Sequence, residues 1–97
     1  MKRIKIITVP DGEAPLHVRE AWVGCVIPIA MEYDDYGLGV LTNEPTKKRM
    51  KGFVVLTSDA LNALLERNQT WAHTWWTQNY SSHFLGFEEK DCKLLVG

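Results

Sequence analysis

Residues 58–80 read Ser-Asp-Ala-Leu-Asn-Ala-Leu-Leu-Glu-Arg-Asn-Gln-Thr-Trp-Ala-His-Thr-Trp-Trp-Thr-Gln-Asn-Tyr, and this stretch decides the fold class. Ser58 is a good N-cap, and Asp59 stands in the first turn, where the helix dipole favours a negative charge. From Asp59 to Arg67, Ala60, Leu61, Leu64 and Leu65 share one stripe, while Asp59, Asn62, Glu66 and Arg67 fall opposite. That is the pattern of a helix lying on a sheet. Asn68 tolerates the left-handed conformation and ends it. A second helix runs from Thr70 to about Tyr80, and Ser81-Ser82 breaks it.

Strand-like runs flank the helix pair. Upstream, Gly52 opens the apolar run 53–57, and Leu38 to Thr42 reads as its hairpin partner across a loop at 43–51. Residues 32–37 read as a polar loop. Residues 21–27 are apolar at every position, which predicts a central strand covered on both faces. Pro28 lacks a ladder N–H and marks its limit. Pro10-Asp11-Gly12 is turn chemistry. Pro15 opens a short helical turn reaching Glu20. Residues 2–9 alternate, with Ile4 and Ile6 on one face. Downstream, 83–88 and 91–96 give one or two closing strands. The expectation is one α+β domain over 1–97: a mainly antiparallel sheet of about five strands, open to a barrel-like curl, with two consecutive helices before the last strand.

Composition bounds the function without naming it. The chain has 97 residues, 45% of them hydrophobic and 24% charged, with a formal net charge of −1. These values exclude a disordered chain, a disulfide scaffold and a strongly basic nucleic-acid binder. The basic start Met1-Lys2-Arg3 precedes an apolar run that Lys5 interrupts, too short for a signal peptide. No run is long enough to span a membrane. Cys25 and Cys92 form no C-x-x-C pair and read as reduced core thiols of a cytoplasmic protein.

The second helix carries the unusual feature. Three of the four tryptophans, Trp71, Trp75 and Trp76, lie within six residues. At about 100° per residue, Trp71, Trp75, Asn79, Ala72, Trp76 and Tyr80 spread over about half the circumference, more than a stripe of about 100° needs. Such a helix has more aromatic surface than one sheet face covers. The rings serve as core and core-edge packing, as an interface with a second copy or a protein partner, or as the wall of a ligand cleft. Candidate ligand or interface residues are therefore Trp71, Trp75, Trp76 and Tyr80, with His73 and His83 as nearby titratable groups.

No motif reaches the specificity of a catalytic signature. His17, His73 and His83 lack metal-ligand spacing. Glu32, Asp34 and Asp35 do not match a calcium loop. Gly37-x-Gly39 is not a phosphate loop. Ser58, Ser81 and Ser82 include no nucleophile elbow. No metal and no cofactor is expected. Lys47, Lys48, Arg49 and Lys51 form the one basic cluster, a weak nucleic-acid candidate that the net charge counts against. Two functions stay open. The first, favoured because no catalytic constellation reaches the specificity of a motif, is a non-catalytic binding or regulatory protein working as a homo-oligomer (a homodimer or a larger assembly built from it) or through a protein partner. The alternative is a small-ligand binder or enzyme with an aromatic cleft along Trp71–Tyr80.

Overall fold

A computed structural model describes residues 2–36 and 49–97. In chain order the elements are β1 (Lys2–Ile6), α1 (Leu16–Glu20), β2 (Val26–Pro28), β3 (Met31–Tyr36), β4 (Arg49–Leu56), α2 (Thr57–Glu66), α3 (Thr70–Asn79), β5 (Phe84–Glu88) and β6 (Cys92–Val96); a single 3-10 turn, Glu89–Asp91, joins the last two. The class is α+β, as the helix pair between strand runs requires. The expected five-stranded, barrel-like sheet is replaced by two antiparallel three-stranded sheets, ordered β2-β1-β6 and β3-β4-β5. They do not close on one another. The chain crosses between them at Ile29, whose N–H bonds the Lys2 carbonyl, and Ala30, whose N–H bonds the Val54 carbonyl.

β1, not 21–27, is the centre of the first sheet. Its alternation is legible in the burial: Ile4 and Ile6 are buried while Arg3 and Lys5 are exposed. Residues 21–25 continue α1 as tight turns, with i to i+3 bonds such as Trp22 N–H to Arg19 O and Cys25 N–H to Trp22 O. Gly24 reverses the chain at φ +93°, a region side chains rarely adopt, and its N–H reaches the Ile6 carbonyl. Continuous apolarity marked burial correctly for Ala21, Trp22 and Cys25, but a short apolar run does not distinguish strand from helical turn. Only Val26–Pro28 pairs, at the sheet edge, where a proline is tolerated.

The second correction is β3. Residues 32–36, read as loop, pair with β4 from Met31↔Val54 to Tyr36↔Arg49. Their polarity reflects an edge strand, not a turn. β4 does take an antiparallel partner, but that partner is 31–36 and not the expected 38–42. The expected strand at 38–42 and most of the 43–51 loop, including Lys47 and Lys48, lie outside the described residues, whereas Arg49 and Lys51 belong to β4. On one face, Tyr33 covers Gly52, where a Cβ would overlap the phenol ring and the Phe87 carbonyl.

α2 starts one residue before the expected Ser58 cap. Thr57 opens it and donates its hydroxyl to the Ser82 carbonyl at 2.8 Å. Asn68 does end the turn in the left-handed region, at φ 58°. Two strands follow the helices, within the one or two expected at 83–88 and 91–96. Ile4, Ile6 and Ile27 of the first sheet, Phe53, Val55, Leu85 and Phe87 of the second, and the inner faces of α2 and α3 join in one buried cluster. Cys25 and Cys92 are both free. They flank Ile6 on opposite sides of β1, and two ladder spacings put them about 10 Å apart, beyond disulfide reach.

Candidate functional site

α3 places its aromatic side chains in three environments. Trp76 is core, 9% exposed, and packs on Trp22 with ring centroids 5.5 Å apart. Trp22 in turn meets Phe87 edge-on at 5.4 Å. Trp71, one turn before Trp75, lies outside this cluster and is 46% exposed. It stacks on His17 of α1 at 5.4 Å with planes 13° apart, and its N–H donates to Gln69 Oε1 at 3.0 Å. Trp75 and Tyr80 are half-buried and each meets Trp76 nearly at right angles, with centroids at 5.1 and 5.3 Å and both interplanar angles 80°.

Those right-angle steps wall a concave space. A cavity of about 460 Å³ is lined by Trp75, Trp76, Asn79 and Tyr80 on the helix, and by Glu13 and Ala14 on the segment facing it. Its size falls in the range typical of small-molecule sites. A smaller cleft of about 70 Å³ adjoins it through Glu13, Ala14 and Trp76 and runs towards Arg19 and Phe87. Asn79 and Tyr80 are held by their own hydrogen bonds. Asn79 Nδ2 donates to the Trp75 carbonyl at 2.8 Å, and the Tyr80 hydroxyl donates to the Phe84 carbonyl. The Trp76 N–H is buried and has no acceptor among the described residues.

The opposing wall, residues 10–14, is fixed from both ends. Arg19 donates from Nε to the Ala14 carbonyl at 2.8 Å and from a terminal nitrogen to the Pro10 carbonyl at 3.2 Å. Lys90 Nζ binds Asp11 at 2.8 Å. That hydrogen bond holds the Asp11 carboxyl below its ordinary range and raises the Lys90 ammonium above its own. Lys90 also lies 3.4 Å from Asp91 and 4.0 Å from Glu88. The three carboxylates gather within 4.8 Å of one another, the one such group among the described residues. Its charge is answered from within by the Lys90 ammonium, so it acts as a fastener for the loop. Asp91, 3% exposed, adds an accepted hydrogen bond from the Thr8 hydroxyl at 2.6 Å.

Of the candidate residues, Trp75, Trp76 and Tyr80 come together at the cavity. Trp71 and His73 share their helix but do not line it, and His83 is exposed at the α3–β5 turn, where its carbonyl accepts the Thr57 N–H. Lys51 is exposed and borders a different hollow, of about 330 Å³, between Tyr33 and Cys92. Sequence reasoning missed Glu13, Ala14 and Asn79. Asn79 was within reach, since the helical projection sets it between Trp75 and Trp76; the 10–14 wall was not, because Arg19 and Lys90 fix it only in three dimensions. No helix among the described residues is long and apolar enough to cross a membrane. No family model, no curated protein and no solved structure matches the chain.

Proposed function

We propose that the chain is a small-ligand-binding protein whose site is the cavity between α3 and residues 10–14. The observation that carries this reading is the concave arrangement of Trp75, Trp76 and Tyr80 around one open space with a braced opposite wall. An aromatic surface meant only for packing closes on itself, whereas this one borders a preformed cavity with a few fixed polar groups. The aromatic lining with one carboxylate, Glu13, supports binding as the role. Two free thiols, one fully buried, support a reducing, cytoplasmic setting. The test is a fragment screen read on the four indole N–H signals in ¹⁵N spectra. Hits should move Trp75 and leave Trp71 in place. Hits that cluster at Trp71, or an absence of hits, would remove the reading.

A second reading, self-association or a protein partner, draws support from a different surface. On the face of the second sheet turned away from the core, Met31, Leu56 and Phe84 are 57%, 40% and 51% exposed, and Leu56 and Phe84 are directly opposed. Clustered exposed apolar residues of this kind mark interfaces. Sedimentation equilibrium of the wild type and of Phe84→Lys tests it: a wild-type mass that stays monomeric at all concentrations excludes a homodimer.

A further inference from the structure

We infer that the cavity beside α3 takes an alkylated ammonium group, a small organic cation such as choline carries; this rests on the cavity being a ligand site. The lining is electron-rich and acidic. Three π-systems, Trp75, Trp76 and Tyr80, border it, and the single ionisable acid or base among its lining groups besides the Tyr80 phenol is the Glu13 carboxylate. Two of the lining's donors are committed elsewhere, Asn79 Nδ2 to the Trp75 carbonyl and the Tyr80 hydroxyl to the Phe84 carbonyl, which leaves the Trp76 N–H as its one buried donor without an acceptor among the described residues. The one basic side chain lining the adjoining cleft, Arg19, donates to the Pro10 and Ala14 carbonyls.

A lining of this kind discriminates by charge and by hydration. An anion would meet Glu13 and find few donors. A neutral apolar ligand would gain burial but nothing from Glu13. A primary ammonium is strongly hydrated and loses its water against aromatic walls without enough acceptors to replace it. An alkylated ammonium is weakly hydrated, is attracted by the ring quadrupoles, and is complemented by one carboxylate at the rim. The near-right angles between successive rings, 80° in both pairs, suit a compact, roughly spherical head better than a flat ligand, which would need parallel faces.

The experiment is calorimetric titration of the full chain with choline, with its uncharged carbon isostere dimethylbutanol, and with a capped trimethyl-lysine carrying the same head on a protein side chain. Choline should bind saturably and the isostere at least about tenfold more weakly, the scale of a desolvated cation–π contact. Glu13→Gln, at an exposed position, should weaken choline several-fold and leave the isostere unchanged. Trp75→Leu keeps apolar bulk and should weaken choline about tenfold while sparing the isostere. Capped trimethyl-lysine binding at least as tightly as choline would supply the same head from a protein side chain; much weaker binding would restrict the site to the free cation. Equal binding of choline and the isostere would overturn the cation assignment while leaving the cavity a ligand site. No saturation by either at millimolar concentration would also overturn it, and the fragment screen then decides the cavity separately. Unchanged choline affinity in Glu13→Gln and Trp75→Leu, both with wild-type melting, would place the bound cation elsewhere and overturn the inference.

Discussion

Adjacent residues of β2 should respond oppositely to the same substitution, Val26→Asp and Ile27→Asp. Ile27 is 0% exposed and faces Ile4, also 0%, on the central strand of its sheet. An aspartate there loses the burial of a whole aliphatic side chain, about 2–3 kcal/mol, and adds the several kcal/mol of an unpaired charge in the core. The sum rivals the 5–15 kcal/mol that holds a typical domain together, so Ile27→Asp should be unfolded or nearly so in buffer. Val26 is half-buried on the opposite face, directly across from Lys5. Replacing it costs up to about 1 kcal/mol in strand preference and packing. The new cross-strand pair with Lys5 returns about 0.2–1 kcal/mol, so Val26→Asp should lie within about 1 kcal/mol of wild type. Urea titration followed by far-UV circular dichroism measures both. A Val26→Asp protein that is unfolded, or an Ile27→Asp protein with the wild-type midpoint, would refute the placement of β2 at the edge and of its two faces.

Lys5 and Lys93 stand directly opposite on β1 and β6, both exposed, so Lys93→Glu should raise stability by about 0.2–1 kcal/mol in low salt, with the gain fading as salt is added. Trp76→Ala should cost about 3–5 kcal/mol because it empties the core contact with Trp22, whereas Trp71→Ala, at a surface stack, should cost at most about 1 kcal/mol; denaturant midpoints separate them. Asp91→Ala should cost about 2–3 kcal/mol by removing the charged acceptor of the Thr8 hydroxyl bond and of Lys90, and Asp91→Asn less. Burial pushes the Cys25 thiol up to about 11 and Cys92 to about 12, from an ordinary value of 9.0. The folded chain therefore holds both protons where the unfolded chain releases them, so stability should be level below pH 9 and fall as pH rises from 9 towards 11–12. Both thiols should resist alkylation at pH 8 until denaturant is added.

What was legible in the sequence was whatever local periodicity controls. Ala60, Leu61 and Leu64 of the expected stripe and the left-handed Asn68 fixed α2 and its end, although Leu65 is 41% exposed and Ala63 is buried instead; the alternation of Ile4 and Ile6 fixed the buried face of β1. Where the pattern had no period, the reading went astray. Residues 21–27 have no polar position to betray a helical or a two-residue repeat, so the burial of Ala21, Trp22, Cys25 and Ile27 was visible, while the geometry and the exposure of Val23 were not. Residues 32–36 do not alternate: Tyr33 and Tyr36 stand at positions of opposite parity, and Glu32 and Asp34 stand on the face that Phe53 turns to the core. An edge strand needs no second covered face, and that pairing is decided by β4, not by local composition.

The site divides along the same line. The arc on α3 was read correctly as exceeding what a sheet covers, because the helix geometry alone sets it. How the excess is used depends on what stands opposite, and that is settled by contacts across long sequence separations: Lys90 with Asp11, and Trp22 with Trp76. Trp22 draws Trp76 into the core, which leaves Trp75 and Tyr80 at the rim. Arg19 and Lys90 then hold residues 10–14 at a distance where the rim becomes a cavity instead of a closed contact. A turn sequence such as Pro10-Asp11-Gly12 says only that the chain bends there. That the bend is braced opposite the aromatic rim follows from Lys90 binding Asp11 on one side and Arg19 the backbone on the other. Loosening either fastener, by Arg19→Met or Lys90→Met, should therefore act on the cavity before it acts on the core.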